Sequence, residues 1–310
     1  MDSTLINAVG TKHFNTAPKQ IIKKKIGLCN EVYELKYDAE SYILRMNTHK
    51  DNIYGTHKHL PIFQKLAIKT PQTIAEDYSM EELPFCYQIQ TKLDGQDLGL
   101  VINQLNESEL KNIAQEISII FDKFNSLPNT PEFYQQIGIN YSADLDIFKG
   151  VKKRRDHLLE RNQKVQILDQ EVIDIYNNIL IAYSSYFEQI KPKLFYDDIN
   201  YKNVMINEGQ FNGIVDLDFL AIGDYLDAIG AMQACWFGEH KGSLYLNEII
   251  QLQKLNKQQK AMINVYAILH LILWSMEEGV KFNANTSGEI NWENVKKKRQ
   301  KIIELYKLVP

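Results

Sequence analysis

The sequence predicts an α+β protein with a β-rich N-terminal lobe, residues 1–92, and a mainly helical C-terminal lobe, residues 93–310. Short runs of alternating apolar residues fill most of the first ninety positions, whereas helical periodicity dominates from Asn106 onward. Strands and helices are thus segregated along the chain. That order favours an α+β arrangement over an alternating α/β sheet.

The N-terminal lobe is predicted to contain an antiparallel meander, one helix and two further extended segments. QIIKKKIGLCNEVYELKYDAESYILRMN, residues 20–47, offers three short alternating runs and a YDAES turn. A helix is expected around residues 51–67, an extended piece after Pro71, and a strand in PFCYQIQTKL at 84–93. The hinge to the second lobe is placed at about residues 88–93.

The C-terminal lobe is predicted to be helical because its apolar residues recur with helical spacing. The segment that begins at Asn106 has one apolar stripe, and Asn106 with Glu109 forms a capping pair. Further helices are predicted at residues 170–190, 258–279, which Gly279 ends, and 292–308. No P-loop or dinucleotide-binding fingerprint occurs, which argues against P-loop and Rossmann proteins.

Composition and charge narrow the class of protein. The chain is 45% hydrophobic and 24% charged, as is typical of a soluble globular enzyme. Its net charge of -4 does not favour nucleic acid as a partner, and its short basic clusters are interpreted as solvated faces. Three scattered cysteines without a CxxC pattern argue against a disulfide framework or a zinc site.

The same features predict a cytoplasmic protein. The first residues lack a basic segment followed by an apolar run, so no signal peptide is expected. The longest apolar run, AILHLILW at 267–274, is too short to span a bilayer. We therefore expect no membrane partner. The protein is expected to be a monomer or a homodimer.

A predicted hairpin, FYDDINYKNVMINEGQFNGIVDLDF at 195–219, carries acids and an asparagine at its open end. The turn NEGQ pairs NVMI with FNGIVDLDF. If Ile206 faces Phe211, Asn203 falls within about two positions of Asp216 across the ladder. An amide and a carboxylate are therefore expected to converge at one end of the hairpin.

The spacing of Asp198, Asn203 and Asp216 is typical of phosphoryl transfer. Protein kinases use an aspartate base, an asparagine five residues later and a further aspartate after a short hairpin. Oxygen ligands from Asn203 and Asp216 suit Mg²⁺, which leaves its other positions to water and phosphates. The alternative is a set of loop caps and one surface carboxylate, but Asp216 lies within the apolar GIVDLDF.

Among enzymes that transfer a phosphoryl group, a protein kinase fits the sequence less well than a kinase that acts on a small molecule. The H-R-D and A-P-E motifs are absent, and Asp197 occupies the place of the motif's arginine. Only six residues separate the DLD motif, 216–218, from Asp224, which leaves no room for an activation loop. The hydroxyl group of a small molecule is therefore the expected acceptor.

The segment FYDDINYKN…GIVDLDFLAIGDYLDAI resembles the aminoglycoside phosphotransferase and choline kinase-like family, with its H-G-D-x-x-x-x-N loop and I-D-W/F-E/D strand. Upstream, EVYELKYDAESYILRMN resembles the family's N-terminal strands and QIQTKLDGQDL its hinge, and YILRMN is especially similar to hygromycin-type phosphotransferases. The resemblance spans roughly residues 20–235. It implies a bilobal protein-kinase-like fold that binds ATP (or GTP) in the cleft.

The resemblance also implies roles for individual residues. Asp198 would be the catalytic base, and Asn203 and Asp216 would hold Mg²⁺ against the β- and γ-phosphates. Arg45 would take the phosphate-contacting position that is usually a lysine, where its fork can bind phosphate oxygens. The backbone groups offered to adenine would come from two hinge residues, Thr91 and Leu93.

The chain departs from the family pattern in several places. Tyr196 stands where the family has histidine, and Asp197 where it has glycine. Gly27 is the only glycine in the segment that replaces the glycine-rich phosphate loop. Residues 46–75 contain no glutamate, so Arg45 has no helix partner of the usual kind.

The acceptor is the part of the function that the sequence specifies least. A cationic aminoglycoside-like substrate would need carboxylates, for which the candidates are Asp197, Glu239, Glu277 and Glu278. Choline would need an aromatic cage, for which Trp236, Phe237 and Trp274 are candidates. Ethanolamine or a sugar would also fit a hydroxyl acceptor, and a non-catalytic nucleotide-binding scaffold stays open as a third class.

Overall fold

A five-stranded antiparallel sheet forms the N-terminal lobe in the computed structural model, which describes residues 3–24, 29–141, 145–281 and 286–310. Its strands, in the order β1-β2-β3-β5-β4, are β1 (Gln20–Lys24), β2 (Glu31–Lys36), β3 (Ser41–Asn47), β4 (Thr73–Asp77) and β5 (Cys86–Thr91). All neighbouring pairs are antiparallel. The predicted meander and the two later strands are confirmed.

The two faces of this sheet differ because side chains alternate along each strand. Helix α1 (Ser3–Phe14) covers one face, where Ile6 and Val9 pack with Leu44 and Ile89. The opposite face carries Arg45 and borders the second lobe. Strands were predicted for most of this region, and helix α1 was not predicted. A helix of twelve residues is marginal by itself, so its contact with the sheet stabilises it.

Helix α2 (Gly55–Lys65) connects the two lobes and confirms the helix expected around residues 51–67. It follows a 3-10 turn, Lys50–Asn52, and its Ile62 and Phe63 belong to the core of the C-terminal lobe. A Cβ atom on Gly55 would lie 1.9 Å from the carbonyl oxygen of Asp218. Glycine is therefore needed where this helix begins, against the segment between β9 and β10 of the other lobe.

Helices make up most of the C-terminal lobe. They are α3 (Leu98–Val101), α4 (Glu107–Asn125), α5 (Pro131–Gln136), α6 (Ile147–Val165), α7 (Gln170–Ala182), α8 (Ser184–Gln189), α9 (Leu226–Trp236), α10 (His240–Leu252), α11 (Lys257–Met276) and α12 (Trp292–Tyr306). A 3-10 turn, Ile102–Gln104, follows α3. Among the helices of the described ranges, none combines the length and the apolar character needed to cross a membrane.

Most predicted helices are present, with one correction. The capping box of Asn106 and Glu109 begins α4, and Gly279 follows α11 with a φ of +78°. The helix expected at 170–190 is instead two helices, because Tyr183 leaves the helical conformation between α7 and α8. The α+β fold class, with an antiparallel N-terminal sheet and a helical second lobe, is confirmed.

Short strands within the C-terminal lobe position the open end of the hairpin. They are β6 (Gln96–Asp97), β7 (Lys193–Phe195), β8 (Val204–Asn207), β9 (Gln210–Ile214) and β10 (Ala221–Gly223). Strand β8 lies between β6 and β9, and β7 pairs with β10. Because β7 precedes the loop at Asp198 and β8 follows it, both ends of that loop are anchored in strands.

Candidate active site

A cleft of about 480 Å³ separates the open face of the N-terminal sheet from the β8-β9 hairpin. Strand alternation turns part of β3 toward this cleft, and the hinge after β5 borders it. The loop between β7 and β8 forms another part of its wall. Six residues predicted from the sequence line the cleft together: Arg45, Thr91, Leu93, Asp198, Asn203 and Asp216.

The register of the hairpin brings Asn203 beside the segment that leads to Asp216. Ile206 pairs with Phe211, as predicted, and a bulge shifts the ladder after this pair. The carbonyl oxygen of Asn203 accepts a hydrogen bond from the N–H of Val215 at 2.9 Å. The amide and the carboxylate therefore lie at the same end of the ladder.

Asp198 and Asn203 are joined by hydrogen bonds within one loop. Asn203 Nδ2 donates to the carbonyl oxygen of Asp198 at 2.8 Å and to its Oδ2 at 2.7 Å, and Asn200 Nδ2 donates to its Oδ1. Burial raises the pKa of Asp198 to about 7, against the opposing charge of Lys202 and with the support of Asp216. A carboxyl group with a pKa near neutrality can both accept and release a proton.

Asp216 has a left-handed backbone conformation, with a φ of +63°. This conformation is uncommon outside glycine and costs on the order of 1–3 kcal/mol, so neighbouring contacts must hold it. The hydroxyl of the buried Tyr196 lies 2.9 Å from the carbonyl oxygen of Val215 and 3.0 Å from that of Asp216, to which it can donate its proton. Burial raises the pKa of Tyr196, which keeps the proton on this hydroxyl. Tyr196, where the family has histidine, thus supports the Asp216 backbone.

Arg45 is buried against two carboxylates of the other lobe. Its Nη2 donates to Asp216 Oδ1 at 2.8 Å and also to Asp218 Oδ2. Its Nη1 lies 3.0 Å from Thr56 Oγ1 and 3.2 Å from Gln88 Oε1, both of which accept hydrogen bonds. The guanidinium fork that was expected to bind phosphate is therefore engaged by protein groups in this structure.

Asp218 supplies the carboxylate partner that Arg45 was expected to lack, because residues 46–75 contain no glutamate. Its side chain is 1% exposed. Besides Arg45, it accepts hydrogen bonds from the N–H and hydroxyl of Thr56 at 3.0 and 2.7 Å and from Asn30 at 3.1 Å. Because Thr56 lies in the first turn of α2, the carboxylate also interacts favourably with the helix N-terminus.

The hinge is anchored to both lobes. The N–H of Thr91 donates to the carbonyl oxygen of Gln72, and Thr91 Oγ1 accepts from the N–H of Gln72, each at 2.9 Å. Gly95 has a φ of +102°, and a Cβ atom there would lie 2.0 Å from the carbonyl oxygen of Ile206. This close approach requires glycine and brings the hinge segment directly onto β8.

The four carboxylates predicted to bind the acceptor do not line this cleft: Asp197, Glu239, Glu277 and Glu278. Glu278 forms an ion pair with Lys298 at 2.7 Å, Glu239 is exposed before α10, and Glu277 directly follows α11. Asp197 adjoins Asp198, and within the described residues its buried Oδ1 has no hydrogen-bond partner. Burial raises the pKa of Asp197 to about 6.

Asp224 and Asp227, the two aspartates of the GDYLDAI segment, have structural contacts. Asp224 accepts hydrogen bonds from the hydroxyls of Tyr186 and Tyr266 at 2.8 and 3.1 Å. Asp227 Oδ1 lies 3.0 Å from His270 Nε2. Gly27, the single glycine of the expected phosphate loop, lies outside the described residues.

Lys202 is a cleft residue that the sequence interpretation overlooked. It lies in the loop between Asp198 and Asn203 and lines the cleft. Two other lysines of the cleft, Lys24 and Lys92, both pair with Glu34, whereas Lys202 has no ion pair within the described ranges. The only signal for it in the sequence was a lysine inside the D-x-x-x-x-N motif.

The fold is shared with solved aminoglycoside phosphotransferase structures. The GDP complex of wild-type aminoglycoside 2'-phosphotransferase-IIIa gives a TM-score of 0.74 at 13% identity, over 99% of each chain. An apo thermostable mutant of APH(4)-Ia gives 0.73 at 14% identity, over 97% of this chain and 98% of that chain. A ternary complex of APH(4)-Ia with ADP and hygromycin B gives 0.71 at 13% identity, with the same coverage.

The family is shown by the sequence itself. A profile of the family described as "Phosphotransferase enzyme family" (APH) matches residues 25–253, which is well over half of the chain. A comparison with curated protein sequences finds no match. The chain therefore belongs to the phosphotransferase enzyme family, and by this family it is a small-molecule kinase.

Proposed function

We propose that this enzyme transfers the γ-phosphoryl group of ATP or GTP to a hydroxyl group of a small cationic molecule. The observation that carries the proposal is the meeting of Asp198, Asn203 and Asp216 on one wall of the interlobe cleft. Structural neighbours with GDP or with ADP and hygromycin B support a nucleotide and a hydroxyl-rich acceptor.

In this proposal Asp198 orients the acceptor hydroxyl and takes its proton. The acceptor oxygen forms a bond to the γ-phosphorus, and the bond from that phosphorus to the β–γ bridging oxygen breaks. The electron pair of the broken bond stays on the oxygen of the departing nucleoside diphosphate. A pKa near 7 suits Asp198 to receive the acceptor proton at neutral pH.

The available oxygen atoms fit a magnesium site. Asn203 uses its amide nitrogen on Asp198, which leaves its Oδ1 as a ligand, and Asp216 uses Oδ1 on Arg45, which leaves its Oδ2. One amide oxygen and one carboxylate oxygen are a typical protein contribution to Mg²⁺. When bound, the metal would neutralise charge on the phosphates.

Binding of the nucleotide is assigned to the hinge and to two cations. Thr91 and Leu93 would offer backbone groups to the base. Arg45 keeps its proposed place beside the phosphates, where it would also hold Asp216 in position. Lys202 is the cleft cation without an ion pair in the described part of the chain, and we add it as a ligand of the γ-phosphate.

The acceptor is proposed to be aminoglycoside-like and to lie beside Asp197. The buried, unpartnered oxygen of Asp197 next to the proposed base supports a donor group from the substrate at this point. Glu239, Glu277 and Glu278 remain candidates outside the cleft lining, of which Glu278 would have to leave Lys298. Choline, ethanolamine and sugars are the alternative acceptors.

A turnover screen tests the proposal. Purified enzyme with Mg²⁺ and ATP or GTP is incubated with a panel of aminoglycosides, choline, ethanolamine and sugar alcohols, and diphosphate release is measured. We expect release with at least one aminoglycoside, and expression in a susceptible bacterium should raise tolerance to it. Turnover with choline or a sugar alone would contradict the acceptor class but not the reaction.

The variant Asp198→Asn distinguishes an enzyme from a scaffold. It keeps the side-chain shape and removes the base, so turnover should fall by about 10²–10⁴-fold while nucleotide affinity barely changes. Equal turnover in both proteins would contradict the assignment of the base. Tight nucleotide binding without turnover on any acceptor would instead favour the scaffold.

A further inference from the structure

A chain of polar side chains crosses the cleft face of the N-terminal sheet. In the β3-β5 ladder Arg45 pairs with Gln88, and Ile43 pairs with Gln90. Alternation along β5 places both glutamines on the face that borders the cleft. Gln90 lines the cleft, is 6% exposed, and directly precedes the hinge residue Thr91. Its side-chain amide is therefore placed where the base of a nucleotide at the hinge would lie.

The orientation of Gln88 is fixed from both ends. Arg45 Nη1 can only donate, and it donates to Gln88 Oε1 at 3.2 Å. At the other end, Tyr78 donates its hydroxyl proton to Glu76 Oε2 at 2.9 Å, so this hydroxyl accepts from Gln88 Nε2. Burial raises the pKa of Tyr78, which keeps its proton in place. Reversing the Gln88 amide would break both of its hydrogen bonds.

The orientation of Gln90 follows from that of Gln88. Gln90 Nε2 donates to Gln88 Oε1 at 3.5 Å, whereas the reversed amide would bring two acceptor oxygens together. Gln90 Oε1 is then the end that is left for a ligand. Within the described residues no hydrogen bond to this oxygen is present.

We propose that Gln90 Oε1 accepts a hydrogen bond from the 6-amino group of adenine, so that the enzyme selects ATP over GTP. This inference rests on the proposed function, in which the base binds at Thr91 and Leu93. Guanine has an oxygen at the 6-position. The hydrogen bonds from Arg45 to Gln88 and from Gln90 to Gln88, here called the relay, keep Gln90 from turning its amide nitrogen toward that oxygen. A buried acceptor that faces another acceptor is costly, and this cost is the source of the difference in affinity between ATP and GTP.

Nucleotide binding to the wild-type protein tests the inference without any substitution. Affinities for the triphosphates of adenosine, purine riboside, inosine and guanosine are measured by titration calorimetry with Mg²⁺. Purine riboside lacks the 6-amino group, and inosine replaces it with an oxygen. We expect ATP to bind most tightly, purine riboside triphosphate less tightly, and the two 6-oxo nucleotides about 10- to 100-fold more weakly than ATP.

Two variants and one control test whether the preference for ATP depends on the relay. Gln90→Met removes the acceptor and should bring the ATP and GTP affinities to within about threefold of each other. Gln88→Met keeps Gln90 but removes the oxygen that orients the Gln90 amide, so this variant should also reduce the preference for ATP. Gln96→Met changes another glutamine that lines the cleft and should leave the preference intact.

The possible failures are distinguishable. Equal affinity for ATP and GTP in the wild type, or a preference for GTP, would overturn the role of Gln90 and leave the proposed phosphotransfer standing. An unchanged ATP preference in Gln90→Met would overturn it as well. If none of the four nucleotides binds, the proposed function and the base selection fail together.

Discussion

Replacing Asp218 with alanine should lower the free energy of unfolding by about 3–5 kcal/mol, the usual cost of removing one partner from a buried ion pair. The Arg45 and Asp218 side chains are only 6% and 1% exposed, so water cannot replace the lost carboxylate. Thr56 loses the acceptor for its N–H, and Asn30 loses one acceptor for its amide. Asp216 remains 2.8 Å from Arg45 and limits the loss, so the lower part of the range is expected.

Urea unfolding followed by tryptophan fluorescence measures this loss. An alanine at Glu293, whose ion pair with Lys297 is exposed to solvent, is the matched control and should leave stability unchanged within error. The double variant Arg45→Met/Asp218→Leu removes both charges and should recover most of the stability that the single variant loses. A loss below about 1 kcal/mol for Asp218→Ala would refute the argument that this pair is a buried structural tie.

Four further predictions concern the reaction, the stability of the protein and the metal. Turnover should fall about tenfold per pH unit below the Asp198 pKa of about 7 and level off above it, as measured by diphosphate release across pH. Because burial raises the pKa of Asp198 in the folded state, the stability that the protonated carboxyl group contributes is lost as pH rises through 7. At pH 8 Asp198→Asn should therefore unfold at a higher temperature than wild type. Nucleotide should stabilise the protein more with Mg²⁺ than with EDTA, and Asp216→Ala should erase the difference; an unchanged difference would remove Asp216 from the metal site. Tyr196→Phe, which loses the hydroxyl that contacts the Asp216 carbonyl, should weaken this Mg²⁺ effect in a thermal-shift assay, whereas a wild-type shift would show that the hydroxyl is dispensable.

The hairpin register was predictable because it depends on local rules. A turn residue pattern and two apolar runs specify which residues face each other, and Ile206 does pair with Phe211. The position of Asp216 beyond the ladder followed from counting residues. The same kind of signal identified α4, since Asn106 and Glu109 form a capping box that can be recognised in the sequence.

Features that depend on packing between distant segments were not predictable in this way. The sequence at the start of helix α1 lacks the capping-box pattern that marks α4, and the contact of α1 with the sheet stabilises it. The break at Tyr183 lies within an apolar stripe that continues on both sides. The relay from Arg45 through Gln88 to Gln90 requires side chains on two strands to face the same cleft, and single-sequence periodicity does not reveal their hydrogen bonds.

The departure that seemed to weaken the site, a basic residue on β3 without an acidic helix partner, is explained by Asp218. This carboxylate binds Arg45 and the first turn of α2, so it makes the connection between strand and helix that an acid in α2 would make. Because Asp218 lies two residues after Asp216, the connection also includes the segment after β9 that carries the proposed metal ligand. Tyr196 holds the backbone of that same segment from the other side. The position of Asp216, the docking of α2 and the orientation of Arg45 therefore depend on one another, and a change at any of the three should be felt at the proposed magnesium site.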